Sequence, residues 1–230
     1  MFRTLWVFII PGLALAFGAL AHSGEKVVTP FNGQDITGWK LRSTDEKKNK
    51  WAVGTASVDD KGALVFKASG KELVNTAGSG TDIFTEQEFA DCLVEIEVMV
   101  PKGSNSGIYL MGRYEIQILD SFGKPNDKLT MGDMGAIYSI ALPKVNACKK
   151  AGEWQKYVID FVAPRFDGKK KTANAKFVKV ELNGQTIHEN AEVLKGATGG
   201  SLGGEVGMGP LMLQGDHGPV AFRNIRITKK

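Results

Sequence analysis

The run Asn105-Ser106-Gly107-Ile108-Tyr109-Leu110-Met111-Gly112-Arg113-Tyr114-Glu115-Ile116-Gln117-Ile118-Leu119-Asp120 decides how this chain is read. It has the pattern of two β-strands joined by a tight turn at Gly112. Side chains two apart share a face of a strand. On the second strand Tyr114, Ile116 and Ile118 therefore form an apolar, core-like face. The opposite face carries Arg113, Glu115 and Gln117: a cation, a carboxylate and an amide in a row. Such a face suits the floor of a site for a polar, hydroxyl-rich ligand.

The same alternation recurs on both sides of this run. Short alternating segments lie at 51–58, 63–67, 89–100, 154–162, 175–182, 205–214 and 220–227. They are separated by turn signals such as Asp60-Lys61-Gly62, Pro101-Lys102-Gly103 and Asn183-Gly184. With 28 glycines and almost no helical periodicity, the chain reads as an all-β sandwich or jelly roll. Within 91–100, Cys92, Val94, Ile96 and Val98 face a core. Glu95 and Glu97 share the other face, read as a solvated exterior. The C-terminal segments read as a hairpin turning at 215–218, with Leu211 and Leu213 inward and Gln214 and Arg223 pointing the same way. The apolar phase shifts at Asn224, which marks a bulge.

Residues 1–21 read as a secretory signal peptide. Arg3 precedes an apolar stretch, Pro11 interrupts it, and Ala19-Leu20-Ala21 fits a cleavage site. The stretch is short for a membrane span, which takes about 20 apolar residues. This leaves residues 22–230 as one exported domain, periplasmic or extracellular, with no stable membrane span. Removing Arg3 lowers the net charge from +4 to +3. That is too mild for a nucleic-acid partner, and the lysine runs at 47–50 and 169–171 read as solvated loops. Cys92 and Cys148 are expected to be free thiols, and no Cys/His cluster has zinc-ligand spacing.

Four segments, taken in order, carry a resemblance. They are Phe31-Asn32-Gly33-Gln34-Asp35-Ile36-Thr37-Gly38-Trp39, the run from Asn105 to Asp120, Gly135-Ala136-Ile137-Tyr138 with Ala151-Gly152-Glu153-Trp154, and His217-Gly218 with Val220-Ala221-Phe222-Arg223-Asn224-Ile225. Together they resemble the 3-keto-disaccharide hydrolase domain family, from about Val28 to Ile227. The resemblance implies a concanavalin A-like jelly-roll sandwich of two antiparallel sheets. It also implies an exported bacterial protein acting on oxidised di- or oligosaccharides or glycosides. The loop 121–132, with Lys124, Asn126, Asp127 and Lys128, departs from the family pattern where a loop is expected to border the cleft.

For such a substrate, a ketone at C3 acidifies the C2 proton. Its removal lets the glycosidic oxygen leave C1, and water then adds. The route needs a base, a stabiliser for the C3 oxygen and an acid at the leaving oxygen. Glu115 is the expected base, His217 the proton shuttle and Asp120 a second carboxylate. Asn105, Tyr109, Arg113, Gln117, Glu153, Gln214 and Arg223 are expected to bind substrate, with Glu153 a further acid candidate and Trp154 a sugar-stacking or core residue. Glu115, Asp120 and a third oxygen or His ligand are the candidates for a Ca²⁺ or Mg²⁺ site, since both ions take oxygen donors.

Two other readings of the same residues stand beside this one. Glu115-x-Gln117-x-x-Asp120 parallels the Glu-x-Asp-x-x-Glu strand of endo-β-glucanases. A direct retaining mechanism wants its carboxyls about 5–5.5 Å apart, which an aspartate at 120 serves less well. A non-catalytic carbohydrate-binding module would use the same polar face.

Overall fold

The computed structural model describes residues 26–230. The segment read as a signal peptide, 1–21, lies outside the described residues. Within them the chain is a jelly-roll sandwich of two large antiparallel sheets. No helix among them is long and apolar enough to cross a membrane.

The larger sheet is built from β1 (Lys26–Val28), β3 (Trp51–Val58), β4 (Leu64–Asn75), β6 (Cys92–Met99), β9 (Trp154–Val162), β12 (Lys176–Leu182), β13 (Gln185–Glu192) and β15 (Val220–Lys229). Its order is β13-β12-β9-β6-β15-β4-β3, with β1 paired to the C-terminal end of β15. The smaller sheet contains β2 (Trp39–Leu41), β5 (Ile83–Phe89), β7 (Asn105–Leu110), β8 (Tyr114–Leu119) and β14 (Gly209–Leu213), in the order β2-β5-β14-β7-β8. A separate ribbon pairs β10 (Arg165–Asp167) with β11 (Lys170–Ala173).

Alternation builds the core between the sheets. Ile108, Leu110, Tyr114, Ile116, Ile118, Leu211 and Leu213 of the smaller sheet meet Val94, Ile96, Val98, Tyr157, Ile159, Phe161 and Phe222 of the larger. Each large side chain contributes about 1.5–3 kcal/mol on burial. The β7–β8 hairpin is set by Met111 and Gly112, at φ 56° and 62°, with the Arg113 N–H donating to the Leu110 carbonyl at 2.9 Å. Two consecutive positive φ angles are those of a type I′ turn, whose twist matches the strands it joins. Pairing resumes with Leu110 opposite Tyr114, so Arg113 is left in the loop rather than on the strand.

The outer face of the larger sheet is an ion-pair surface, as the Glu95–Glu97 spacing suggests. Lys156 and Arg226 meet Glu95, while Arg223 and Asn224 meet Glu97. The bulge at Asn224 is present, with φ 52° and a register shift between Arg223 and Arg226.

The expected C-terminal hairpin is not. β14 pairs with β5 and β7 in one sheet, and β15 pairs with β6 and β4 in the other. The turn at 215–218 carries the chain across the sandwich. It therefore separates Gln214 and Arg223, which end on opposite sides of the molecule. Cys92 and Cys148 are both free and buried.

Candidate active site

The face of the smaller sheet turned away from the core forms the floor of a cleft of about 530 Å³. Three neighbouring strands supply that floor. β8 contributes Glu115 and Gln117, β7 contributes Asn105 and Tyr109, and Gln214 follows the end of β14. Their juxtaposition follows from register: Tyr109 lies opposite Glu115, Gly107 opposite Gln117, and Met212 opposite Tyr109. Alternation then turns these polar groups to the side opposite Tyr114, Ile116 and Ile118.

Glu115 is the most enclosed charge-bearing group on that floor, with only 3% of its surface exposed. A Cβ on Gly107 would lie 2.3 Å from the Glu115 Oε1. The missing side chain at 107 thus makes the space the carboxyl occupies. Burial pushes the Glu115 carboxyl up to about 7, opposed by the Tyr109 hydroxyl and the charge of His217. Desolvation disfavours the ionised form, whereas a hydrogen-bond donor or a cation favours it. The Tyr109 hydroxyl is itself raised by burial, and its oxygen also lies 3.1 Å from the Gly199 carbonyl oxygen, an alternative acceptor for its single proton.

Three loops wall the cleft. The first, at 215–218, carries His217, whose Nδ1 bonds the Asp216 carboxylate. This loop is pinned from below. Asn75 Nδ2 donates to the Gly215 and Gly218 carbonyls at 3.0 and 2.8 Å, and the Gly215 N–H donates to Asp82 at 3.0 Å. Burial raises the Asp82 carboxyl, and the Gly215 N–H and Arg42 act against it.

The second wall is Gly199-Gly200. Arg42 ties it to the sheet, donating both to the Gly200 carbonyl and to Asp82, the latter at 3.0 Å. The third wall spans 121–138 and brings Lys124, Thr130, Gly132, Asp133 and Tyr138 to the cleft. Backbone bonds fix its end beside the floor: the Tyr138 N–H donates to the Glu115 carbonyl at 3.0 Å, and the Gln117 N–H to the Ala136 carbonyl at 2.9 Å.

Of the residues expected at the site, Asn105, Tyr109, Glu115, Gln117, Gln214 and His217 come together in this cleft. Four do not. Arg113, lifted into the hairpin turn, donates from Nε to the Gly204 carbonyl at 2.6 Å and so anchors the 198–204 loop. Asp120, five residues beyond Glu115, takes the opposite face of the strand and accepts the Gly103 N–H at 3.0 Å, capping the turn before β7. Glu153 is exposed in the turn leading to β9. Arg223 lies on the outer face of the larger sheet, ion-paired to Glu97 at 2.7 Å and stacked on Trp154 at 4.0 Å. That contact also occupies Trp154, which is not in the cleft.

Because Asp120 faces away, the Glu115–Asp120 pair that a metal or a retaining glycosidase would use does not form. Among the described residues no three His, Cys, Asp or Glu side chains converge in a metal-binding group. The sequence reading missed Lys124, Thr130, Asp133 and Tyr138 as individual residues, although it placed the loop 121–132 at the cleft border. What could have found Asp133 is its companions: Ser121, Lys124 and Thr130 all carry side-chain donors within twelve residues of it.

The model of the 3-keto-alpha-glucoside-1,2-lyase-like domain family matches residues 26–228. The chain belongs to this family. A curated relative from Bacteroides thetaiotaomicron, named 3-keto-disaccharide hydrolase, is 25% identical over 160 residues. That match covers 60% of this chain and 53% of the relative, so the chain spans about half of that protein's length. A solved structure of a candidate glycosyl hydrolase from Parabacteroides distasonis is 28% identical, with a TM-score of 0.63, covering 89% of this chain and 84% of that one. A second from the same organism, at 18% identity and a TM-score of 0.57, covers 89% of this chain and 94% of its own and shares the fold. Family and relatives place the chain among carbohydrate-active, glycosyl-hydrolase-like proteins.

Proposed function

We propose that this protein cleaves 3-keto-glycosides by removing the C2 proton, expelling the glycosidic oxygen and letting water add to the product. The observation that carries this reading is Glu115: a lone buried carboxyl on the cleft floor, poised near neutrality. A general base works best when its pKa lies near the operating pH.

Glu115 takes the C2 proton, and the C2–H electrons form a C2=C3 bond while the C3 carbonyl becomes an enolate. As the carbonyl re-forms, a C1=C2 bond forms and the C1–O bond breaks. The departing oxygen takes a proton from His217, whose loop walls the same cleft. Asn105, Gln117 and Gln214 hold hydroxyls around the reacting carbons. The 3-keto name of the family and of the curated relative supports the oxidised substrate.

Direct hydrolysis of an unoxidised glycoside is less well served. Its second carboxyl would have to be Asp133, the other carboxylate lining the cleft, and that group already accepts hydrogen bonds from Ser121, Lys124 and Thr130. On the same reading the protein is exported, an inference from residues 1–21. Exported protein whose N-terminal sequence began at Met1 would argue against cleavage after Ala21.

The test of the activity pairs a 3-keto-disaccharide with its unoxidised parent, using wild type and Glu115→Gln. Turnover of the keto sugar alone, lost in the variant, is expected. Equal turnover of both sugars would overturn the keto-assisted route. Binding of either without turnover would favour a carbohydrate-binding module.

A further inference from the structure

We propose that Lys124 is a further catalytic residue, holding the C3 oxygen as it becomes an enolate; this rests on the 3-keto reading above. The route puts a full negative charge on that oxygen, and preorganised positive charge aimed at developing charge is a large term in catalysis. Arg113, the cation expected on this face, is in the hairpin turn and anchors another loop. Among the residues lining the cleft, Lys124 is the single lysine or arginine.

Its placement is built, not incidental. Asp133, 2% exposed, receives the Lys124 ammonium at 2.5 Å, the Thr130 N–H and hydroxyl at 2.6 and 2.7 Å, and the Ser121 hydroxyl at 3.2 Å. From the other side, Asn146 Nδ2 donates to the Lys124 carbonyl at 2.9 Å and to the Ser121 carbonyl at 2.8 Å. Surface lysines ordinarily sample many rotamers. This one is fixed at both backbone and ammonium, with the side chain two-thirds covered. An ammonium has three N–H donors, so the bond to Asp133 leaves two for a ligand. No covalent step is added. The ammonium keeps its protons, donates to the enolate oxygen as C2 loses its proton to Glu115, and relaxes as the C3 carbonyl re-forms.

The experiment compares wild type, Lys124→Met and Lys124→Arg on two 3-keto-glucosides, one with a p-nitrophenyl and one with an alkyl leaving group. Binding of the unoxidised parent and thermal stability are followed in parallel. Stabilising the enolate is independent of the leaving group. Lys124→Met is therefore expected to lower kcat about 100-fold on both substrates, with parent-sugar affinity little changed. Lys124→Arg should recover part of that loss. Where the Met variant does not fold, Lys124→Gln, which keeps a neutral donor beside Asp133, should show the same fall. A kcat close to wild type, or a fall confined to the alkyl glycoside, would overturn the role. A wild type inactive on both 3-keto-glucosides would sink the 3-keto reading itself and this inference with it.

Discussion

Replacing Glu115 by glutamine should make the protein more stable above neutral pH while abolishing its chemistry. The carboxyl is pushed from an ordinary 4.5 up to about 7 by burial. A raised carboxyl pKa means the folded state holds a proton that the unfolded chain has released. Between about pH 4.5 and pH 7 the native state therefore binds more protons, and stability falls as pH rises through that window. Below it the carboxyl is protonated in both states and costs nothing. Above it the fold carries a buried charge. At about 1.4 kcal/mol per pKa unit, the full cost is about 3 kcal/mol.

Glutamine fills nearly the same space beside Gly107 without that charge. The assay is urea unfolding of wild type and Glu115→Gln at pH 5 and pH 8.5. Other titrating groups are common to both proteins, so the difference between them isolates this one. The variant should lead by about 1 kcal/mol at pH 5 and by about 3 kcal/mol at pH 8.5. A gap that does not change with pH, or a variant less stable at pH 8.5, would refute the claim that Glu115 is a desolvated acid.

Other perturbations probe how the site is held. Gly107→Ala places a methyl 2.3 Å from the Glu115 Oε1, forcing the carboxyl to move by roughly 1 Å; kcat should fall about 100-fold while circular dichroism stays native. Arg42→Ala releases the Gly200 wall from Asp82, so steady-state kinetics should show KM rising more than kcat falls. Arg223→Ala, remote from the cleft, should leave kcat/KM unchanged in the same assay and cost about 1 kcal/mol in urea unfolding through its lost stacking on Trp154. The Cys92 thiol, which burial pushes up to about 12, should resist an aromatic disulfide reagent at pH 8 until urea unfolds the protein.

Local alternation made much of the fold and the cleft floor legible. The β7–β8 run could be read because its two faces differ in kind, and register alone then sets Tyr109 beside Glu115. β5 went unread although it lies inside the smaller sheet, because Thr85-Glu86-Gln87-Glu88 interrupts its apolar pattern. The last two strands looked like a hairpin because a short turn joins them; nothing local says that the turn crosses between sheets. Arg113 was misplaced by a single residue of turn geometry, enough to move it off the floor. Arg223 shared its apparent phase with Gln214 only under the hairpin pairing. The walls were the least visible part, since Lys124 and Asp133 are joined by hydrogen bonds inside one irregular loop, and Tyr138 is fixed by a backbone bond to Glu115, neither of which periodicity encodes.

The account turns on a carboxylate that removes the proton next to a sugar ketone. The direct measurement is deuterium incorporation at C2 of 3-keto-1,5-anhydroglucitol in D₂O, followed by NMR. This ketone has no leaving group at C1, so exchange reports proton removal alone. Wild type should catalyse exchange that rises with pH through about 7, the value to which Glu115 is pushed, and Glu115→Gln should not exceed the buffer rate. Exchange undiminished in the variant, or none in a wild type that still cleaves 3-keto-glycosides, would contradict it.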